Sequence, residues 1–312
     1  MAHRDSAPDV SALVVSWNTR DLTAACLDSL PGSVGGGVTL ETIVVDNGSG
    51  DGSVEMLRGR TDVVLVENAG NRGYAAAVNQ AYERSRGRLV LLLNSDIVFP
   101  RGALGTLVEF LEARPDAAGV GPLYLNPDGT PQQHHFRLPT LPMLLAGAGA
   151  ALRRLPPFAR AVRRYRLLGE DFSAPRPVEQ PSASCLLLRR EALPGDHLLD
   201  ERFPIYFNDV ELAHRLHAAG AALWVTPDAA VYHVHGASTR QLGRDLRRQH
   251  LASTVRYLRR THPPAAVLTF QAVVLAQKLG VLLLRRPGAL ALGELWAALR
   301  GDPGPLPQAP QA

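Results

Sequence analysis

The first hundred residues contain four short runs rich in Val, Leu and Ile, and these runs constrain the fold more than any other feature. A strand with one solvated face alternates apolar and polar residues, whereas a strand buried on both faces is apolar almost throughout. The segments between the runs carry apolar residues at helical spacing, so helices are expected on both faces. The pattern predicts a doubly wound α/β domain with a mostly parallel sheet and strands at 10–17, 40–45, 63–66 and 88–93.

The charge of the chain argues against nucleic acid as its partner. The formal net charge is +4, the sequence pI is about 9.4, and Lys278 is the single lysine. Nucleic-acid binding usually needs a dense basic stripe with interleaved aromatic residues. A mild basic excess is better suited to a diphosphate ligand or an anionic membrane surface.

The cysteines and the N-terminus bear on where the chain is located. Cys26 and Cys185 lie far apart in apolar stretches, so neither a disulfide framework nor a zinc spacing can be built from them. The first nine residues are polar and contain no apolar signal-peptide core. A reducing, cytoplasmic location is therefore expected, with both thiols buried and inert.

Polar side chains follow each of the four predicted strands. In open α/β sheets ligands bind beyond the carboxyl ends of the strands, so these side chains are candidates for a binding site. Any one of them could instead be a turn former or a helix N-cap, because glycines lie close by. Recurrence at four strand ends favours a site, formed by Asn18, Asp46, Asn47, Asn68, Asn94 and Asp96.

Common nucleotide-binding loops are missing from these strand ends. After the first strand the sequence reads Ser16-Trp17-Asn18-Thr19-Arg20, where a dinucleotide-binding fold would have Gly-x-Gly-x-x-Gly. The sequence has no Gly-Lys-Ser/Thr phosphate loop, and the lack of a Gly-rich loop also disfavours a nucleotidyltransferase. If phosphates bind here, a divalent cation is the natural substitute for such a loop.

Ordered motifs in the chain resemble those of family 2 glycosyltransferases, especially the bacterial rhamnosyltransferase-like branch. The resemblance covers roughly residues 10 to 240 and depends on the whole ordered set, because each motif alone is short. The motifs are Val14-Val15-Ser16-Trp17-Asn18, Val44-Val45-Asp46-Asn47-Gly48-Ser49 with Asp51-Gly52-Ser53, Glu67-Asn68-Ala69-Gly70-Asn71-Arg72-Gly73-Tyr74-Ala75 with Asn79, Leu92-Leu93-Asn94-Ser95-Asp96, Tyr206-Phe207-Asn208-Asp209-Val210-Glu211-Leu212 and Val231-Tyr232-His233-Val234-His235-Gly236.

The resemblance implies a GT-A fold, in which a Rossmann-like, mostly parallel sheet is flanked by helices, here with a C-terminal helical extension. Residues 10–240 would form the catalytic domain. The expected division is a disordered N-terminus at 1–9, a nucleotide-binding half at 10–125, an insertion or lid at 126–177, an acceptor half at 178–240, C-terminal helices at 241–300 and a disordered tail at 301–312.

By the same resemblance, Asp46 would hydrogen-bond the base of a nucleotide sugar. An ionised Asp only accepts hydrogen bonds, which fits the imide N–H of uracil or thymine but not the N3 acceptor of cytosine. The donor is therefore expected to be a UDP or dTDP sugar. From the residues alone, a helix-capping turn role for Asp46 is equally open. The other side chains expected to line the donor are Ser16, Trp17, Asn18, Asn68, Asn71, Arg72, Asn94 and Ser95.

Asp96 matches the acidic residue of the family's metal motif, so the resemblance implies a divalent cation, Mn²⁺ or Mg²⁺. One carboxylate suffices where the donor diphosphate supplies further oxygen ligands. Asn94 occupies the position of the family's first acidic residue, and Ser95 stands where proline is frequent. His233 matches a family histidine that can complete the coordination, and imidazole would favour Mn²⁺. His235 is the alternative ligand.

Asp209 matches the carboxylate that acts as catalytic base in inverting transfer, where it takes the proton of the acceptor hydroxyl. Its place at a predicted helix start also suits a structural acidic residue, and Glu211 is the alternative base. The implied reaction moves a sugar, rhamnose by likeness to this branch, to a hydroxyl of a cell-envelope glycan or lipid-linked acceptor. A catalytically silent sugar-nucleotide-binding subunit is the main alternative, followed by a nucleotidyltransferase.

The apolar helix predicted at 265–284 bears on membrane contact. Gln271, Gln277 and Lys278 make a bilayer-spanning position costly, while two arginines at the end of the helix suit anionic headgroups. A peripheral contact with the inner face of the cell membrane is expected. A helix packed on the domain or on a dimer partner is nearly as well supported.

Overall fold

The computed structural model describes residues 7–35, 37–193, 195, 197–234, 243–283 and 290–309. The strands are β1 (Val10–Ser16), β2 (Leu40–Asp46), β3 (Val64–Glu67), β4 (Leu89–Asn94), β5 (Ile97–Val98), β6 (Ala117–Leu125), β7 (Pro131–Gln132), β8 (Arg176–Pro177), β9 (Cys185–Arg189) and β10 (Ala222–His233). The helices are α1 (Arg20–Ser33), α2 (Ser53–Arg58), α3 (Tyr74–Arg84), α4 (Ala103–Glu112), α5 (Leu141–Ala148), α6 (Ala150–Arg154), α7 (Pro156–Tyr165), α8 (Asn208–Ala218), α9 (Gly243–Thr261), α10 (Pro264–Leu283) and α11 (Leu292–Leu299).

One sheet holds these strands in the order β3-β2-β1-β4-β9-β6-β10-β5, with β7 beside β6 and β8 beside β10. The pairs β3–β2, β2–β1, β1–β4 and β6–β10 are parallel, whereas β9 runs antiparallel between β4 and β6. The predicted α/β class with a mostly parallel sheet is therefore confirmed. The last strand, β10, is continuous, but its pairing with β6 shifts between Val225 and Ala230.

The continuous apolar strands are explained by burial on both faces. Along β4, Leu89, Leu91 and Leu93 enter one hydrophobic core, while Val90 and Leu92 enter another. The first core lies under α1, α2 and α4, and the second lies under α3 and α8. The sheet is thus covered by helices on both sides, as the apolar runs predict.

A third core joins the segment at 126–177 to the C-terminal helices. Leu144 of α5 is buried there together with Val255 of α9, Phe270 of α10 and Leu295 of α11. The segment predicted as an insertion or lid therefore shares its packing with the helical extension. In the described ranges, no helix is both long and apolar enough to cross a bilayer.

Both ends of the described chain make contacts in segments where the sequence predicts disorder. Asp9 accepts hydrogen bonds from the Thr39 backbone N–H (2.9 Å) and from Arg88 (2.9 Å). At the other end, Gln308 receives the Asn71 N–H on its side-chain oxygen (2.8 Å) and donates to the Asn71 carbonyl (3.2 Å). Residues 301–309 thus lie against the loop after β3, because one amide side chain satisfies both backbone groups of Asn71.

Candidate active site

Strand register brings the predicted site residues to one edge of the sheet. Ser16 at the end of β1 lies opposite Asp46 at the end of β2, and Val15 lies opposite Asn94 at the end of β4. Parallel strands place their carboxyl ends at a common edge, so residues distant in sequence meet there. On β10, His233 pairs with Ile97 and so lies at the same edge.

Asp46 is fully buried and organises its own loop. One carboxylate oxygen accepts hydrogen bonds from the backbone N–H groups of Gly48 (3.1 Å) and Ser49 (2.8 Å), and the other accepts from the Ser49 hydroxyl (2.7 Å). Burial raises the pKa of Asp46, although the hydrogen bonds from Ser49, Gly48 and Ser16 lower it. The structure thus shows the turn role of Asp46, and its recognition of a base stays a prediction.

The loops after β2 and β3 touch through backbone at Gly48. Its φ of 79° is in the left-handed region, and a Cβ there would lie 2.5 Å from the Gly70 Cα. Only glycine allows this approach. Asn18, also at positive φ (50°), accepts from the Gly50 N–H (2.8 Å) and donates its own N–H to the Ser49 hydroxyl (2.9 Å). These contacts draw three predicted donor loops together.

Asn47 connects three of the residues predicted to line the donor. Asn47 itself was predicted among the strand-end residues but not among those that line the donor. Its amide donates to the Asn71 side-chain oxygen (2.9 Å), and its own oxygen accepts from the Asn68 amide (3.1 Å) and the Arg72 N–H (3.0 Å). The Arg72 side chain is exposed, whereas Asn47 is buried. Asn68 also exchanges two hydrogen bonds with Gln80 (2.8 and 3.0 Å). The position of Asn47 directly after a predicted strand was the sequence signal for a role at the site.

Four of the predicted residues lie at the ends of β1 and β4. The Asn94 amide donates to the Ser184 hydroxyl (3.1 Å), and the buried Ser95 hydroxyl lies 3.0 Å from that of Thr19. The indole N–H of Trp17 is buried without a hydrogen-bond partner in the described structure. Ser16 is buried and accepts from the Thr23 hydroxyl (3.2 Å). Ser16 and Ser95 are therefore buried beneath the surface at this edge of the sheet.

Asp96 and His233 lie side by side at this edge. The distance from His233 Nε2 to Asp96 Oδ1 is 3.5 Å, and this Asp96 oxygen is buried without a hydrogen bond in the described structure. His233 Nδ1 lies 2.6 Å from Gln132 Oε1, and the Gln132 amide nitrogen donates to the His233 carbonyl (3.3 Å). The His233 carbonyl can only accept a hydrogen bond, so the nitrogen of the Gln132 amide faces it and the Gln132 oxygen faces His233 Nδ1. An amide oxygen also only accepts, so the imidazole hydrogen is assigned to Nδ1. The alternative ligand His235 lies outside the described residues.

Gln132 and His134 also reach the site, which sequence reasoning missed. The His134 ring packs against His233 with centroids 4.6 Å apart, and its Nε2 lies 3.4 Å from the Ser184 hydroxyl. His135 is buried with Nε2 2.9 Å from the Pro122 carbonyl, and burial lowers its pKa to about 4. The polar run at 132–135 within an otherwise apolar segment was the available signal.

Asp209 lies in the first turn of α8 and is held by two donors. Its Oδ1 accepts from the Val210 N–H (2.8 Å), and its Oδ2 accepts from the side-chain amide of the buried Gln180 (3.2 Å). Burial raises the pKa of Asp209, while these two hydrogen bonds act in the opposite direction. Gln180 was not predicted, because it lies 29 residues away on a segment without helical or strand periodicity.

Glu211, the alternative base, forms ion pairs with two arginines. It is buried, accepts from Arg215 (2.8 Å) and pairs with Arg260 (3.1 Å). A cavity of about 470 Å³ borders Glu211, but its lining contains none of the residues predicted for the site. The geometry therefore favours Asp209 over Glu211 as the carboxylate available at this edge.

The Tyr74 hydroxyl lies within the electrostatic influence of both Asp96 and Asp209. It is buried without a hydrogen-bond partner in the described structure. Burial raises its pKa, and the negative charges of Asp209 and Asp96 raise it further, so both carboxylates act on one hydroxyl. The sequence motif contains Tyr74, but nothing in its spacing distinguished it from a core aromatic residue.

Unsatisfied polar atoms make this edge a candidate for binding a polar ligand. Four of the buried atoms without a partner in the described structure are Trp17 Nε1, Tyr74 Oη, Asp96 Oδ1 and Gln180 Oε1. Buried polar groups are ordinarily hydrogen-bonded, so a ligand is the natural source of the missing partners. Within the described ranges no three His, Cys, Asp or Glu side chains form a metal-binding group. A cation here would need oxygen ligands from the bound molecule.

Comparison with known proteins identifies the family. The model of glycosyl transferase family 2 matches residues 11–193, which is more than half of the 312-residue chain. The match includes Asp46 and Asp96 but ends before Asp209 and His233. An N-acetylglucosaminyl-diphospho-decaprenol L-rhamnosyltransferase of Mycobacterium tuberculosis is 32% identical over 221 residues, which cover 66% of this chain and 69% of that protein.

Solved structures show the same fold. A mannosyltransferase from Pyrobaculum calidifontis, in complex with GDP-Man and Mn²⁺, superimposes with a TM-score of 0.55 at 20% identity, covering 96% of this chain and 88% of that one. GalNAc-T7 with UDP, GalNAc and Mn²⁺ gives 0.56 at 15% identity, covering 82% and 48%. These likenesses confirm the GT-A architecture, with its sheet flanked by helices and its C-terminal helices. The family-model match over residues 11–193, together with the 32% identical relative, shows that this chain belongs to glycosyl transferase family 2.

Proposed function

We propose that the chain is a metal-dependent, inverting glycosyltransferase that uses a UDP or dTDP sugar. The sugar proposed is rhamnose and the acceptor a hydroxyl of a lipid-linked cell-envelope glycan, because the M. tuberculosis relative is named for both kinds of substrate. The inner face of the cell membrane is the proposed location. The observation that supports catalysis is the pair of carboxylates, Asp96 and Asp209, which lie near enough to the buried Tyr74 hydroxyl that both raise its pKa.

Asp209 would serve as the base. As the acceptor oxygen forms its bond to the anomeric carbon, its proton passes to the Asp209 carboxylate, and the bond from that carbon to the diphosphate breaks with its electron pair. Attack from the face opposite the leaving diphosphate inverts the anomeric carbon. Gln180 and the Val210 N–H hold the carboxylate in place through one hydrogen bond to each oxygen.

The Asp96–His233 pair fits a divalent cation. Asp96 Oδ1 has no hydrogen bond in the described structure, and His233 presents Nε2 to it at 3.5 Å, with Nδ1 held by Gln132. A metal-ligating His233 would therefore use Nε2. Mn²⁺ or Mg²⁺ held there would offset charge on the departing diphosphate. The Mn²⁺ in both solved relatives supports this assignment.

Replacing Gln132 by Leu should weaken Mn²⁺ binding roughly 10- to 100-fold, the usual cost of losing the partner that orients a metal-ligating histidine. The loss follows because His233 Nδ1 would no longer have its acceptor at 2.6 Å. Electron paramagnetic resonance of Mn²⁺ titrated into protein with UDP or dTDP measures it. Gln133→Leu, an exposed neighbour, is the control, and equal affinities in the two variants would contradict the role of Gln132.

Replacing Gln180 by Leu should move the acid limb of the pH–rate profile to higher pH. The base works ionised, and burial already raises the pKa of Asp209, so activity should fall as pH drops through that raised pKa. The Gln180 amide favours the ionised form, and its removal raises the pKa further. Tyr74 and Tyr165, the other titratable groups that interact with Asp209, remain in place. A profile of kcat from pH 5 to 9, matched to thermal melts, checks this, and an unshifted limb would contradict it.

The direct test of function is nucleoside diphosphate release from a panel of UDP and dTDP sugars, with Mn²⁺ and with candidate lipid-linked acceptors. Acceptor-dependent release with at least one donor is the expected result. Tight, Mn²⁺-dependent donor binding without any release would favour the catalytically silent binding subunit instead.

A further inference from the structure

A basic surface lies on the two helices α6 and α7. Residues 129–169 contain no Asp or Glu, and six exposed arginines fall between 153 and 166. A seventh, Arg137, pairs with Glu170 and Glu179, whereas none of the six has an ion-pair partner among the described residues. We call the six the basic face: Arg153, Arg154, Arg160, Arg163, Arg164 and Arg166.

The orientation of α7 separates its apolar and charged sides. Phe158 packs against the third core, and the Tyr165 ring stacks on Phe136 with centroids 5.1 Å apart. Arg160, Arg163 and Arg164 follow helical spacing on the other side and are exposed. The aromatic side chains of α7 are therefore turned towards the protein, and the arginines towards solvent.

Two exposed leucines border the basic face. Leu155, at the junction of α6 and α7, is 48% exposed, and Leu168, just after α7, is 42% exposed. Arginines together with exposed apolar residues on short surface helices are characteristic of protein segments that lie in the interface of a bilayer. A single-stranded nucleic acid would instead use exposed aromatic side chains for stacking, and those of α7 face inwards.

A short chain of hydrogen bonds connects the end of α7 to Asp209. The Arg137 N–H donates to the Tyr165 carbonyl at the end of α7 (2.8 Å). Phe136, which precedes Arg137, pairs through its backbone with Gln180 in both directions (3.0 Å each), and Gln180 donates to Asp209. The end of α7 is therefore separated from Asp209 only by residues 136–137 and Gln180.

We propose that the basic face docks this protein onto an anionic lipid bilayer, with Leu155 and Leu168 inserted at the headgroup boundary. Docking through α6 and α7 differs from the contact predicted for the helix at 265–284, which buries Val267, Phe270 and Val274 against the third core. That docking presents a lipid-linked acceptor to Asp209 rests on the function proposed above, whereas binding to lipid does not depend on it.

The test is co-sedimentation with vesicles, without donor or acceptor. Wild type should bind vesicles of phosphatidylcholine with roughly one-third phosphatidylglycerol, release them at high salt and ignore pure phosphatidylcholine. Arg160→Gln with Arg163→Gln should weaken binding about 30-fold, the equivalent of ~1 kcal/mol for each arginine near an anionic surface. Arg84→Gln with Arg101→Gln, which removes two exposed arginines from other elements, should bind as wild type does.

Three outcomes would overturn the proposal: no binding of wild type to anionic vesicles, equal weakening by both double variants, or tighter binding to a single-stranded RNA than to vesicles. Leu155→Ser with Leu168→Ser gives an independent arm, since it leaves the charge unchanged and should still weaken vesicle binding. Calorimetry of UDP and dTDP binding should be unchanged in every variant. A failure to bind any nucleotide would count against the proposed function and not against the docking surface.

Discussion

Asp209→Asn should lower turnover by roughly 10²- to 10⁴-fold, the contribution typical of a positioned general base. Asn keeps the size of the side chain but cannot take up the acceptor proton. Its single oxygen can accept from either the Val210 N–H or the Gln180 amide, so one of the two present hydrogen bonds is lost. The stability cost should be about 1 kcal/mol, and donor affinity should persist.

Single-turnover transfer at saturating donor, measured beside thermal melts, separates loss of chemistry from loss of fold. Asp116→Asn is the matched control, because Asp116 is exposed at the start of β6. A folded Asp209→Asn protein with near wild-type turnover would refute the base assignment. Glu211 would be a poor substitute, since Arg215 and Arg260 already hold its carboxylate.

Asp96→Ala should remove Mn²⁺-dependent donor binding while leaving the fold intact. The loss should exceed the roughly 10- to 100-fold expected for Gln132→Leu, because a direct ligand is removed and not its orienting partner. Stability should change little, since Asp96 Oδ1 makes no hydrogen bond in the described structure and the backbone bond from the Val234 N–H to the Asp96 carbonyl remains (3.0 Å).

Calorimetry with UDP and dTDP, in Mn²⁺ and again in chelator, measures the effect of Asp96→Ala. Wild type should lose affinity in chelator, and the variant should show the same weak binding in both conditions. Asp116→Ala serves as the control for loss of a carboxylate. If the folded variant kept wild-type Mn²⁺-dependent affinity, Asp96 would not be a metal ligand.

The strands of the first 125 residues could be predicted from the sequence because their signals are local. An apolar run such as 89–93 specifies a strand buried on both faces, and parallel register then brings the strand ends together. The sequence did not predict that β9 would lie antiparallel between β4 and β6. A short apolar strand has the same pattern in either direction, so the sequence does not encode its orientation.

The candidate site was predictable where it follows strands and unpredictable where long-range contacts build it. Asp46, Asn94 and Asp96 were found from strand ends, but Gln132 contacts His233 across 101 residues. No periodicity connects two such positions. The α8 helix starts at Asn208, directly after Phe207, which adopts a left-handed φ of 67°. A bulky residue rarely takes this conformation, so the sequence does not predict it.

Gln308 contacts Asn71, a residue predicted to line the donor, across 237 positions of the sequence. Thermodynamic linkage requires that any change in donor affinity caused by docking of residues 301–309 be matched by an equal change in docking caused by the donor. A nucleotide that favours the present shape of the loop would then shield the tail from proteases. A purification tag placed after residue 312 could shift the measured donor affinity without touching a single catalytic group.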